Sequence, residues 1–184
     1  MTVKEFLKSK TLKCILVLLC IALVSGALLS IMNDLLKVSD EERVMRTIKS
    51  IYGEEIGYTE VIADYSTAEG KIENVFCLAD GNYLIKSTGF DGYQKGTVSV
   101  WLVAEFEADS YKGINNVSIA DYEKQTLMSK FNDKVLKKFS GSDAEGFDVV
   151  VSGATLSSRA LNNAVNTAVS YISENLVKET GGAE

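Results

Sequence analysis

Ser152-Gly153-Ala154-Thr155 is the stretch of this chain best suited to chemistry on a phosphate. It lies between a short apolar run, residues 147–151, and a long helical pattern that opens with Leu156-Ser157-Ser158-Arg159. Small residues at a strand-to-helix junction let the backbone turn sharply and leave the Thr155 hydroxyl exposed. The first N–H groups of the helix behind it lack intrahelical partners and favour an anion. Ser152, Ser157 and Ser158 add hydroxyl donors for phosphate oxygens. The spacing therefore describes a site for a phosphorylated ligand.

Composition removes the rival chemistries. There is no His, which excludes the commonest metal ligand, a histidine general base and a histidine-ligated haem. Ser152 or Ser157 as a hydrolytic nucleophile would need a base, and no Ser-x-x-Lys motif accompanies the turn. Of the three Cys, Cys14 and Cys20 lie in a hydrophobic segment, leaving only Cys77 beyond it. One thiol cannot hold an iron–sulfur cluster or close an internal disulfide. If this chain moves electrons, an organic cofactor must carry them. The net charge is -6, with 19 Lys and Arg against 25 Asp and Glu, so nucleic acid is excluded as a partner. Lys130, Lys134, Lys137 and Lys138 read as the wet side of an amphipathic helix.

The elements that must position the turn begin with a membrane segment. Cys14 to Met32 contains no charge, and at 1.5 Å per residue it spans roughly 28 Å, about the thickness of a bilayer core. Lys4, Lys8, Lys10 and Lys13 precede it, and Asp34, Asp40, Glu41 and Glu42 follow. The positive-inside rule puts the N-terminus in the cytoplasm and the rest outside. Ser25-Gly26-Ala27 could serve a signal peptidase, but the apolar run continues through Leu28, Leu29, Ile31 and Met32. The expected organisation is a cytoplasmic N-terminus (1–13), an uncleaved transmembrane helix (14–36), a stalk helix (37–60) and one extracytoplasmic domain (61–180).

Ser39 and Glu42 stand at capping-box spacing, and Val44, Met45, Ile48, Ile51 and Tyr52 follow as a helical stripe that Gly53 and Gly57 close. Residues 71–78, 83–86, 97–107 and 113–120 read as strands, with Asp80-Gly81 as a hairpin turn. In 97–107, Val98, Val100, Leu102, Ala104 and Phe106 share one face, and Ser99, Trp101, Val103 and Glu105 the other. Two helices follow. In 123–139, Leu127, Met128, Phe131, Val135, Leu136 and Phe139 fall on one side; in 157–178, Leu161, Val165, Ala168, Val169, Ile172 and Leu176 do so. The fold class is α+β: an antiparallel sheet packed with helices, preceded by the transmembrane and stalk helices. Residues 179–184 read as a frayed tail.

The Ser-Gly-Ala-Thr turn resembles the flavinylation motif of the FMN-binding domain family. Members include the G subunit of the Rnf complex and the C subunit of the sodium-pumping NADH:quinone oxidoreductase. The resemblance covers roughly residues 70 to 175. Three stretches carry it: Gly89-Phe90-Asp91-Gly92-Tyr93 before a strand, Glu123-Lys124-Gln125-Thr126-Leu127-Met128, and 148–164 with Ser-Gly-Ala-Thr-Leu-Ser-Ser-Arg-Ala. Two departures stand out. The second stretch keeps Thr126, but Gln125 and Leu127-Met128 replace the family's Glu and Pro-Gly. The acidic residue that family members carry six positions before the modified threonine is Val149 here, with Asp148 one residue earlier.

The resemblance implies FMN joined through its phosphate to Thr155 by a separate flavin transferase that uses FAD as donor. The helix dipole offers an anion only about 0.3–1 kcal/mol, so firm retention rests on the covalent bond. Ser152, Gly153, Ala154, Leu156, Ser157, Ser158, Thr126 and Leu127 are the implied surroundings of the cofactor, and Trp101, Tyr93, Leu127, Met128 and Leu156 are candidate walls for the isoalloxazine. The single-pass layout is similar to that of the Rnf G subunit. Its function would be electron relay, without acid–base residues of its own, in a complex coupling ferredoxin and NAD redox chemistry to sodium or proton transport. Its partners would be the other subunits of that redox complex, the flavin transferase and the lipid bilayer. The alternatives are the quinone-reductase subunit, a stand-alone extracellular flavin shuttle, or an anchored non-redox scaffold.

Overall fold

The computed structural model describes residues 10–35, 40–108, 110–142 and 146–177. They fall into two units, Met1–Arg46 and Thr47–Glu184. In the first, helix α1 (Lys10–Leu35) has 26 residues, about 39 Å at the helical rise. Its segment Lys13–Ser30 is long and apolar enough to cross a membrane, as its charge-free run requires. A second helix, α2 (Asp40–Tyr52), starts where expected; Ser39, Lys4 and Lys8 lie outside the described residues.

In the second unit α2 ends at Gly53, whose φ of +78 is open to glycine at little cost. The Gly53 N–H closes the last turn on the Lys49 carbonyl at 2.9 Å. Five strands then run in chain order: β1 (Tyr58–Val61), β2 (Gly70–Leu78), β3 (Tyr83–Gly89), β4 (Val98–Glu107) and β5 (Ser110–Tyr122). All neighbours are antiparallel, because turns and short loops rather than crossover helices join them. The expected hairpin forms at Gly81, with φ +87. β1 was not foreseen; its residues fall at the end of the segment expected as stalk, and they pair with residues 75–78 of β2.

The face of β4 bearing Val98, Val100, Leu102 and Ala104 is buried with Leu161, Val165 and Ala168 of helix α4 (Thr155–Tyr171) and with Ile172 just beyond its end. A π-helical turn, Ile172–Leu176, continues α4, and Lys178 and the tail lie outside the described residues. Gly89 lets α4 approach β3 closely: a Cβ there would overlap the Ala160 carbonyl and the Ala164 nitrogen. Beside it, the Ser87 hydroxyl donates to the Ala164 carbonyl at 2.7 Å. On the opposite face Phe76, Leu78, Leu84 and Val103 are buried.

The helix expected over 123–139 does not form as one piece. It is a 3-10 turn (Met128–Lys130), a short helix α3 (Asp133–Leu136) and a second 3-10 turn (Lys137–Phe139). Asn132 breaks the run: its side chain accepts from the Lys134 and Val135 N–H groups, restarting a helix in mid-segment. Met128, Phe131 and Phe139 still enter the core, so the apolar stripe is satisfied by short turns.

Candidate functional site

Residues 147–151 approach Thr155 as an extended segment that pairs with no strand, a correction to the strand expected before the turn. Side chains of α4 supply its ladder. Asn166 accepts from the Phe147 N–H at 2.7 Å and donates to the Phe147 carbonyl at 3.0 Å. Asn162 makes the same pair with Val149, at 3.0 and 3.2 Å. The Ser158 hydroxyl accepts from the Val151 N–H at 2.9 Å. The match is geometric. Four residues of helix advance about 6 Å, and two residues of strand about 6.6 Å. Positions 158, 162 and 166 therefore keep step with 151, 149 and 147. Asp148, between two anchored residues, is exposed.

The ladder delivers the chain into a tight turn. The Ala154 N–H returns to the Val151 carbonyl at 2.9 Å, and Gly153 takes φ +74 at the third position, where a type II turn favours glycine. Thr155 then starts α4 with an exposed side chain. Ala154 is the N-cap, no side chain caps the helix, and no acidic residue lies in its first turn. The leading N–H groups therefore keep their capacity for an external acceptor.

Ser157 and Ser158, expected as phosphate donors, are otherwise engaged. Both are buried. The Ser157 hydroxyl donates to Gln125 Oε1 at 2.7 Å, and the Ser158 hydroxyl donates to the Ala154 carbonyl at 3.1 Å. A side chain on the inner face of a helix turns to the nearest protein acceptor, which spacing alone does not reveal. Ser152 and Gly153 are exposed, while Ala154 is buried under the turn.

Gln125 joins the three stretches that the sequence singled out. Its Oε1 accepts from the Tyr93 N–H at 3.1 Å and from Ser157. Its Nε2 donates to the Tyr93 carbonyl at 3.3 Å and the Glu123 carbonyl at 2.9 Å. The side chain is buried, and a Cβ on Gly92 or Gly96 would fall within 2.7 Å of its nitrogen. A carboxylate could not donate the last two bonds, so glutamine is fitted to this backbone.

Around the Gln125 node Tyr93, Leu127 and Leu156 are 39%, 37% and 41% exposed, and Thr126 is exposed too. These side chains are open to a planar apolar ligand. Two other candidate walls are not available. Met128 is 7% exposed and belongs to the core. Trp101 alternates to the face of β4 away from α4, against Phe76 and with the Lys86 ammonium 5.8 Å from its ring centroid. Lys130, read as part of a solvated face, instead donates to the Ser152 carbonyl at 3.1 Å. No periodicity signals that contact.

On that other face a cleft of about 450 Å³ is lined by Lys71, Glu73, Thr88 and Ser99, among others, and by none of the expected site residues. Glu73 accepts from Thr88 at 2.9 Å and pairs with Lys86 at 2.7 Å. Burial raises its carboxyl, but the bonds from Lys86 and Thr88 and the Lys86 and Lys71 charges outweigh that and hold it below its ordinary value. The lining carries three carboxylates, Glu73, Asp121 and Glu123, against the one lysine, Lys71. The Thr155 turn suits a phosphate: it offers an exposed hydroxyl, free helix N–H groups, an exposed serine and an ammonium.

A model of the FMN-binding domain matches residues 57–170. Neither the search of curated proteins nor that of solved structures gave a match. The family match spans more than half of the chain and takes in the whole sheet, the Gln125 node and the Ser-Gly-Ala-Thr turn: the chain belongs to the FMN-binding domain family.

Proposed function

We propose that this protein is the electron-transfer subunit of a membrane-bound, ion-translocating oxidoreductase of the Rnf type, with FMN esterified through its phosphate to Thr155. The observation that carries the covalent reading is an exposed threonine on the first turn of an uncapped helix, presented by a glycine turn that a transferase can reach. Thr155 supplies the attacking hydroxyl. Its oxygen bonds to the phosphorus on the FMN side of FAD, the pyrophosphate bond breaks, AMP leaves, and the hydroxyl proton passes to a base of the transferase. Tyr93, Leu127 and Leu156 orient the ring, and Thr126 lies beside them. The flavin, when bound there, would supply the redox chemistry.

The apolar Lys13–Ser30 segment supports a single-span anchor in the cell membrane. Lysines before it and acidic residues after it favour an N-terminus in the cytoplasm and the flavin domain outside. There a covalent tether keeps a dilute cofactor from being lost. The other subunits of the complex would be its redox partners. Co-expression with a flavin transferase tests the site: a denatured band that fluoresces, and goes dark in Thr155→Ala, is expected. Intact mass showing no FMN adduct in the unaltered protein would overturn it.

A further inference from the structure

We infer that Lys130 is the phosphate-holding residue of this site, positioning the FMN phosphate on Thr155 during and after its transfer. This rests on the reading that Thr155 takes the cofactor. Lys130 sits in the turn Met128–Lys130, whose Met128 and following Phe131 are both buried in the core. Its backbone is therefore held from both sides, and the side chain leaves a fixed origin. The ammonium donates to the Ser152 carbonyl at 3.1 Å, and a Cβ at Gly153 would lie 2.9 Å from the nitrogen. It thus rests directly on the turn that presents Thr155.

One of its three N–H donors is engaged by Ser152, and among the described residues no carboxylate pairs with it. The nearby Ser157 and Ser158 hydroxyls are committed to protein acceptors, so this ammonium is the strongest side-chain donor left at the turn. It donates to a non-bridging phosphate oxygen while the Thr155 oxygen–phosphorus bond forms and AMP departs, and afterwards it neutralises the single charge of the diester. Arg159, one helical turn beyond Thr155, is exposed and lacks the hydrogen bond to the Ser152 carbonyl that Lys130 makes.

The full chain, purified in detergent, is incubated with FAD and a flavin transferase, and adduct formation is followed by intact mass. Lys130→Met should slow transfer roughly tenfold, the loss expected for one charge-assisted hydrogen bond. Lys130→Arg should restore most of the rate. Lys134→Met, which removes the same charge from an exposed neighbour, should not slow it. In loaded protein the ³¹P resonance should shift in Lys130→Met and not in Lys134→Met, a readout independent of turnover. Equal rates and equal resonances in the two Met variants would overturn the role of Lys130 while leaving Thr155 as the attachment point. No adduct on the unaltered chain would overturn both.

Discussion

Two irregular segments meet the first turn of α4, and they are held there by opposite means. Residues 147–151 are fastened by a distributed ladder in which Asn166, Asn162 and Ser158 each serve one or both groups of one backbone residue. The 123–128 stretch is fastened at a point, with four hydrogen bonds converging on the Gln125 amide. A ladder repeats one solution at helical spacing and shares its load. A node concentrates it, and ties Tyr93, Glu123 and Ser157 into one geometry. The difference teaches where the site is vulnerable: the ladder sets the path of the chain toward Thr155, and the node sets the relation between Thr155 and the exposed side chains beside it.

Gln125→Leu should have the largest effect on stability. It strands four polar partners around an apolar side chain, at roughly 3 kcal/mol in total, measured as a fall in denaturation midpoint at constant slope. A loss below about 1 kcal/mol would show that the node is no more important than a single rung. Asn162→Ala should cost less, about 1–2 kcal/mol. The double change with Asn166→Ala should depart from additivity, because both rungs hold one segment; strict additivity in a double-mutant cycle would mean the rungs act separately.

Gly153→Ala should cost about 1–2 kcal/mol from the left-handed backbone alone, and it should also displace the Lys130 ammonium that a Cβ would meet at 2.9 Å. Thermal melts would read the first effect and flavin-transfer rates the second. The smallest effect belongs to the polar cluster on the far face. The folded-state carboxyl of Glu73 lies below its ordinary 4.5, so its contribution is present above that value and is lost as pH falls through the folded-state value. Glu73→Gln should flatten the acid limb of the stability curve slightly, with flavin transfer unchanged; a loss of flavin transfer would link the far face to the site.

Much of this was legible before any coordinates. Four of the five strands were readable, 97–107 by its alternation and 71–78 as an apolar, β-rich run, and Asp80-Gly81 marked the hairpin between 71–78 and 83–86. β1 escaped because four half-exposed residues carry little pattern. The long helix over 123–139 was misjudged because an apolar stripe does not distinguish one helix from several turns, while a single Asn at 132 can restart the backbone. Gln125 was visible only as a departure from a family pattern, and Lys130 only as one lysine among four.

What the sequence alone determined is the local chemistry: a charge-free segment of membrane length, an antiparallel meander, and a small-residue turn ahead of a helix with a threonine on its first turn. Those follow from residue type and near-neighbour spacing, which the backbone obeys wherever the chain goes. Only the tertiary structure decided which groups remain free. It turned Ser157 and Ser158 inward, put Trp101 on the far face, gathered Tyr93, Glu123 and Ser157 on one amide, and laid Lys130 across the turn. Lys130 meets Ser152 across 22 residues, and Gln125 meets Tyr93 and Ser157 each across 32, while Trp101 follows the face that β4 turns away from α4. Hydrogen-bonding capacity is a property of a residue, but its availability is a property of the packing around it.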